Sequence, residues 1–537
     1  MYCTNCGSAQ SDTARFCGRC GSQMDNQGWQ APTAQSPPTA ATPQVPIEYP
    51  PPAAYQQPLQ PAFTPPQPAG LGYTQPPQAP SAPDRVSSPV LRHHRLIAAA
   101  AVLVVGGLAV AGWRVHWPPA LFGSTAPPAL TWSSAQAPLP ANATRTSKQY
   151  SALNDVACPS AGSCVAVGLY DSGDSANTGN GLIETLSDGI WTPATAPSNV
   201  PGASQVSFLN LDGVACPSMA SCVAVGGYWD HQGIQRPLIE THSGSRWVPA
   251  RGALPGDGDQ SKPAFISEVA CPAPGSCVAT GWYTDSNGDI QGLIETLSTG
   301  SWSASTAPLP GDAQPRPLPS QGLPPTDLVV VRCAAMGDCV ATGNYTDSKG
   351  GMQPLIETLS QGNWTAGKAT LPSDAAAPNP NAFLWAIACQ APGSCVAGGH
   401  YNTRGGQSRD LVATQSGGTW TPAVAPLPAD AAASQKWSAN QLTGLTAAAC
   451  QAVGTCMEAG TYIAGNGALE GVIVWLSGGA WTSARAPLPA GAAGADQFAF
   501  FDSAACPTTG ACFAVGGYKA ADGSTEPMLE TGAPRHG

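Results

Sequence analysis

From residue 129 to the C-terminus, apolar and polar positions alternate in short runs that are broken by glycine, proline, asparagine and aspartate. Runs with period two and β-branched content, bounded by turn residues, predict strands. One text recurs: V-A-C-P-S-A-G-S-C-V-A-V-G-L-Y at Val156 to Tyr170, L-I-E-T from Leu182, then Trp191. Each copy predicts four strands. Strand A is the apolar run into the first cysteine (Leu153 to Cys158), strand B leaves the second (Cys164 to Tyr170), strand C is L-I-E-T (Leu182 to Leu186), and strand D begins at the tryptophan.

Seven copies follow one another at intervals of 55 to 62 residues. Tyrosine stands six residues after each second cysteine, at Tyr170, Tyr228, Tyr283, Tyr345, Tyr401, Tyr462 and Tyr518. The seventh copy stops at Glu530 and Thr531 without its tryptophan strand, while an orphan one, L-T-W-S-S-A-Q around Trp132, precedes the first. A closed ring explains that displacement, because the N-terminal strand then completes the last blade and leaves no open edge. The fold class is therefore all-β, a seven-bladed β-propeller over residues 129–537 with its N-terminal strand closing the last blade. In strand order and closure it is similar to WD40-type propellers. Alanine is frequent in strand A, as crowding near a ring axis requires. The tryptophans of strand D can cover the wider outer gaps between blades.

Eighteen cysteines fall into two groups by spacing. Fourteen form C-x5-C pairs: Cys158 with Cys164, Cys216 with Cys222, Cys271 with Cys277, Cys333 with Cys339, Cys389 with Cys395, Cys450 with Cys456 and Cys506 with Cys512. They fall at the A–B turn, where neighbouring strands bring cysteines within bonding reach, and predict seven disulfides. The other four, Cys3, Cys6, Cys17 and Cys20, form C-x2-C-x10-C-x2-C with Gly7 and Gly21 after each pair. Four thiolates in two short knuckles suit tetrahedral zinc with no open coordination position. Residues 1–22 resemble the short zinc ribbons that open many bacterial membrane proteins, which implies a structural zinc as cofactor.

Residues 23–95 are mostly proline, glutamine and alanine, too poor in apolar side chains to offset their ordering entropy, and are expected to be a disordered spacer. An uncharged run, residues 96–113, follows Arg92, His93, His94 and Arg95. Its helical length of about 27 Å matches a bilayer core and predicts one transmembrane helix. Residues 114–128 then form a tether. The basic flank, thiolates on one side and cysteine pairs on the other place the N-terminus inside and the propeller outside. Ala109 to Ala111 can also be read as a signal-peptidase site, although a signal so far into a chain would be unusual.

The chain has 537 residues and a net charge of −11. That acidity argues against a nucleic-acid surface on the large domain, and Arg15 and Arg19 are the only basic residues of the N-terminal motif. A sialidase-like reaction would need arginines, a tyrosine nucleophile and carboxylates gathered at the axis. Arg236, Arg246, Arg251, Arg332, Arg404, Arg409 and Arg485 are scattered instead, and the tyrosines recur as packing residues do. The recurring Glu184, Glu240, Glu295, Glu357 and Glu530 read as structural hydrogen-bond acceptors. The C–D turn S-x-G-x-W (Ser187, Gly189, Trp191) resembles a shortened Asp-box, which implies a fold element and not a catalytic one. Asp285, Asn287 and Asp289 resemble the start of a calcium loop, but Thr296 stands where its bidentate glutamate would, so an ordinary polar turn is expected.

Strand order puts the uniform A–B and C–D connections on one face of the ring and the variable B–C and D–A connections, such as Gly311 to Thr326 and Ala429 to Thr443, on the other. Variable loops on a rigid scaffold are where recognition resides. The expectation is a membrane-anchored extracellular binding or scaffolding protein whose variable face, turned away from the membrane, recognises an envelope protein or polysaccharide. The alternative is a sialidase-like or other glycan-processing hydrolase in the propeller channel.

Overall fold

The structure is a computed structural model, and it describes residues 130–534 apart from 148, 173–178, 320–323, 434, 436–442 and 495–496. Within that span 28 strands form seven four-stranded antiparallel sheets. Six blades are consecutive in sequence, as in blade 1, with strands Ala152–Ser160, Ser163–Asp171, Gly179–Ser187 and Ile190–Thr195. The seventh joins Ala499–Thr508, Ala511–Lys519 and Thr525–Pro534 to Leu130–Gln136, with Trp132 opposite Gly532. The N-terminal strand closes the ring, as its displaced tryptophan required.

Seven apolar clusters each span two neighbouring blades. Trp191 of blade 1 meets Phe513 of blade 7 edge-on at 6.4 Å, and Trp247 of blade 2 covers Val165, Val167 and Ile183 of blade 1. Strand D tryptophans therefore join blades, as the sequence implied. The tyrosine rings are buried, and four of their hydroxyls donate to an aspartate of the preceding D–A connection: Tyr283 to Asp257 (2.9 Å), Tyr345 to Asp312 (2.8 Å), Tyr401 to Asp374 (2.8 Å) and Tyr462 to Asp430 (2.8 Å). Burial raises the pKa of these hydroxyls, so they stay protonated donors.

The C-x5-C pairs are all disulfides, one at the A–B turn of each blade. Cys158 is bonded to Cys164, Cys216 to Cys222, Cys271 to Cys277 and Cys333 to Cys339. Cys389 is bonded to Cys395, Cys450 to Cys456 and Cys506 to Cys512. Strand pairing explains the reach: Cys333, Cys389 and Cys450 stand directly opposite Cys339, Cys395 and Cys456 in the ladder between strands A and B.

Two expectations are corrected. Zinc has no site among the described residues: no group of three or more His, Cys, Asp or Glu there could hold a metal ion, and the cysteines there are consumed in disulfides. Cys3, Cys6, Cys17 and Cys20 lie outside the described residues. The recurring glutamates are not acceptors as a class. Glu184, Glu240 and Glu357 are fully buried with both carboxyl oxygens unbonded, because the strand amides around them are consumed in the ladders. Glu295 does match the expectation, accepting from the Ala253 amide at 3.1 Å.

No helix among the described residues is long and apolar enough to cross a membrane, and the run 96–113 lies outside them. Asp285 heads an ordinary turn. Its carboxylate accepts the amides of Asn287 (2.9 Å) and Asp289 (3.0 Å) and the side chain of Gln291 (3.0 Å).

Candidate functional site

Each blade's innermost strand carries one extra residue at the same register. In blade 1 Leu153 pairs with Gly168 and Asp155 with Val167, which leaves Asn154 as a bulge. The equivalents are Asp212, Ser267, Val329, Trp385, Thr446 and Asp502. The cause lies in the neighbouring strand, where the fourth residue after the second cysteine is always glycine. A Cβ at Gly168 would collide with the carbonyl oxygen of Ala152, and one at Gly399 with that of Phe383. Glycine lets the two backbones approach closely enough to form the bulge.

Six of these seven side chains face one cavity, and their chemistry differs from blade to blade. Asn154, Asp212, Ser267, Val329, Trp385 and Asp502 line an axial cavity of about 80 Å3, room for about five waters. Phe265, Trp282, Asp327 and Asn344 complete its wall, near the strand ends where the B–C and D–A connections gather. Asn154 is locked in place: its Nδ2 donates to Asn210 Oδ1 (2.9 Å), the Leu211 carbonyl (2.8 Å) and Asp212 Oδ1 (3.1 Å). Trp385 is held against Phe383 and His400 at 5.2 and 4.6 Å between ring centres. Burial drives His400 down to about 3, so this aromatic group is uncharged.

An ionic cluster adjoins the cavity, which Glu268 also lines. Arg332 occupies the register that holds Ala157, Ala215, Ala270, Ala388, Ala449 and Ala505 in the other blades. From blade 4 its guanidinium reaches Glu268 of blade 3 at 3.0 Å and Asp155 of blade 1 at 3.7 Å. Blades 1 and 4 are not neighbours, so this contact crosses the axis. Asp155 also accepts from the Val214 amide at 2.6 Å and from the Ser503 hydroxyl, which ties in blades 2 and 7. One guanidinium serves two buried carboxyl groups. Burial pushes Glu268 well above the ordinary carboxylate range against the pull of Arg332, with Asp155 adding to the rise.

Arg332 comes together with Glu268 and Asp155 as an ion-paired cluster. Other arginines are engaged elsewhere: Arg236 pairs with Asp230 at 2.8 Å and meets Arg251 at Gln260, Arg409 pairs with Asp374 at 3.7 Å and Arg485 with Glu470 at 3.0 Å. The recurring tyrosines stay between blades. Pro324 and Asp327 bring the end of the Gly311 to Thr326 connection to the cavity wall, whereas 320–323 and 436–442 lie outside the described residues.

Fold and site together define a disulfide-braced, seven-bladed β-propeller with a blade-specific axial cavity. No family model and no curated protein matches the chain. Solved structures do. A Dyadobacter fermentans protein of unknown function is 13% identical, with a TM-score of 0.43 over 76% of this chain and 100% of that one. An Aleuria aurantia lectin mutant in complex with α-methyl-L-fucoside is 14% identical, with a TM-score of 0.33 over 68% and 99%. A Trypanosoma rangeli sialidase is 12% identical, with a TM-score of 0.37 over 74% of this chain and 58% of that one. The seven-bladed assignment itself rests on the strand order above.

Proposed function

We propose that this chain is a membrane-anchored binding protein whose extracellular propeller recognises an envelope glycan at the axial cavity, from the face that carries the B–C and D–A connections. One observation carries the reading. In a ring whose cysteines, tyrosines and tryptophans repeat sevenfold, the seven bulge residues differ in chemistry from blade to blade, and six of them line one cavity. A packing role would favour repetition, as it does for the tyrosines.

At about 80 Å3 the cavity admits the hydroxyl-bearing edge of a sugar and not a whole ring. Asn154, Asp212, Asp327, Asn344 and Asp502 supply donors and acceptors for hydroxyl groups, and Trp282 and Trp385 supply apolar walls. Hydrolysis of a sialoside is disfavoured, because the arginine at the axis is committed to Glu268 and Asp155. Seven disulfides support a location outside the cytosol, where they persist.

The full chain, produced oxidised, is expected to retain at least one envelope polysaccharide on an immobilised panel. Asp502→Asn, which keeps the shape and removes the charge, should weaken retention about tenfold. Equal retention by the variant would move recognition off the axis, and release of reducing ends would favour the hydrolase. Protease added to intact cells should remove the propeller while leaving the N-terminal residues protected. Full protection of the propeller would refute the extracellular placement.

A further inference from the structure

Blade 5 carries an acid at a register where no other blade does. Asp410 stands opposite His400 in the ladder between strands B and C, whereas its counterparts are Gly181, Pro237, Gly292, Pro354, Gly471 and Pro527. Blade 6 carries a second. Glu458, two residues after Cys456, replaces the alanine found at Ala166, Ala224, Ala279, Ala341, Ala397 and Ala514. Opposite it stands Val474 in place of the L-I-E glutamate, so blade 6 has moved its buried carboxyl one strand inward. Both departures meet at one seam. A Cβ at Gly398 of blade 5 would collide with the Glu458 carboxyl. Gly398 and His400 alternate onto one face of strand B, and Asp410, opposite His400, shares that face. Around them Val412 and Ala425 of blade 5 pack on Tyr462, Val472 and Val474 of blade 6.

We infer that Asp410 and Glu458 form a pH-operated latch on the seam between blades 5 and 6, closed while both hold their protons and loosened when they lose them. Asp410 is 2% and Glu458 0% exposed, and none of their four oxygens has a hydrogen-bond partner among the described residues. The other ionisable groups at the seam are engaged or uncharged: Tyr462 donates to Asp430 at 2.8 Å, Arg485 holds Glu470 at 3.0 Å and His400 is neutral. Loss of the protons would set like charges in an apolar seam without donors, and opening to water relieves that. Burial accordingly raises Asp410 to about 7 and Glu458 well above the carboxylate range, with Asp410 adding to the second rise. The latch contributes fully below the ordinary carboxylate values, where the open seam is protonated too, and its contribution is lost as pH rises through about 7. His400 also packs on Trp385 of the axial cavity at 4.6 Å, so this seam adjoins the cavity wall. The inference is independent of what that cavity binds.

Hydrogen exchange of the full oxidised chain, read by mass spectrometry and corrected for the intrinsic rate, tests the latch. Protection of strands Ser394–Asn402 and Ser408–Ser416 should fall about tenfold between pH 6 and pH 8. Two double variants should lose that fall. Asp410→Asn/Glu458→Gln keeps the shape without a titrating proton, and Asp410→Gly/Glu458→Ala installs residues that other blades carry at these registers. The remaining buried glutamates are present in every form, so the difference between parent and variants belongs to this pair. Equal protection of the parent at both pH values, or a fall of the same size in both double variants, overturns the inference. Protection of the parent at pH 8 that drops on addition of EDTA also overturns it, in favour of a cation held between the two carboxylates.

Discussion

Arg332→Ala should destabilise the propeller by about 3–5 kcal/mol, the cost of leaving the two buried carboxyl groups without the guanidinium they share. Asp155 and Glu268 would face each other across the axis with side chains only 1% and 7% exposed and no guanidinium between them. The variant has room to fold, since alanine occupies this register in the other six blades. The cost is therefore electrostatic, and removing the carboxylates should relieve it. Denaturant unfolding of Arg332→Ala beside Arg332→Ala/Glu268→Gln/Asp155→Asn measures both effects. A single variant within about 1 kcal/mol of the parent, or a triple variant no better than the single, would show that the cluster does not hold the blades together.

Stability should fall as pH rises from about 5 to about 8, the reverse of acid denaturation. Burial raises Glu184, Glu240, Glu295, Glu357 and Glu530 from an ordinary value near 4.5 to about 8. Below 4.5 both the folded and unfolded chains hold these protons. Between 4.5 and 8 the unfolded chain releases protons that the folded chain keeps, so unfolding is favoured progressively as pH rises. Above 8 the folded state must carry the charges, and the loss is complete. Asp230, Asp285 and Asp347, held low by hydrogen bonds to turn amides and side chains despite the cost of burial, act oppositely. Their contribution is lost only as pH falls below about 4. The optimum therefore lies near pH 4.5–5. Glu357→Gln should flatten the decline by one group's share. A melting temperature that is level or rising from pH 5 to pH 8 would show that these glutamates are solvated or paired.

The ring was legible because it rests on repeated, local signals. Cysteine pairs, the tyrosine six residues on, and a tryptophan strand displaced to the front gave blade number, disulfides and closure. The axial site was not legible, because it depends on which residues of different copies share a register. Gly168 and its six counterparts stand within runs that read as uninterrupted alternation, and only the collision that a Cβ would suffer there exposes the bulge. Arg332 looked scattered among the arginines until its register placed it where six alanines stand. The unbonded state of Glu184, Glu240 and Glu357 was equally hidden, since motif text does not say whether neighbouring amides are already engaged.

Closure by the first strand also sets a schedule for the chain. Ser133 donates to the carbonyl of Thr531 across 398 residues of sequence. At ribosomal rates of about 5–20 residues per second, the partner of the first strand is made roughly 20–80 seconds after it. Throughout that interval six blades can close around their own hairpins, while strand Leu130–Gln136 waits with both edges unsatisfied. The propeller is therefore born open, and its vulnerable moment is the wait of its first strand for its last.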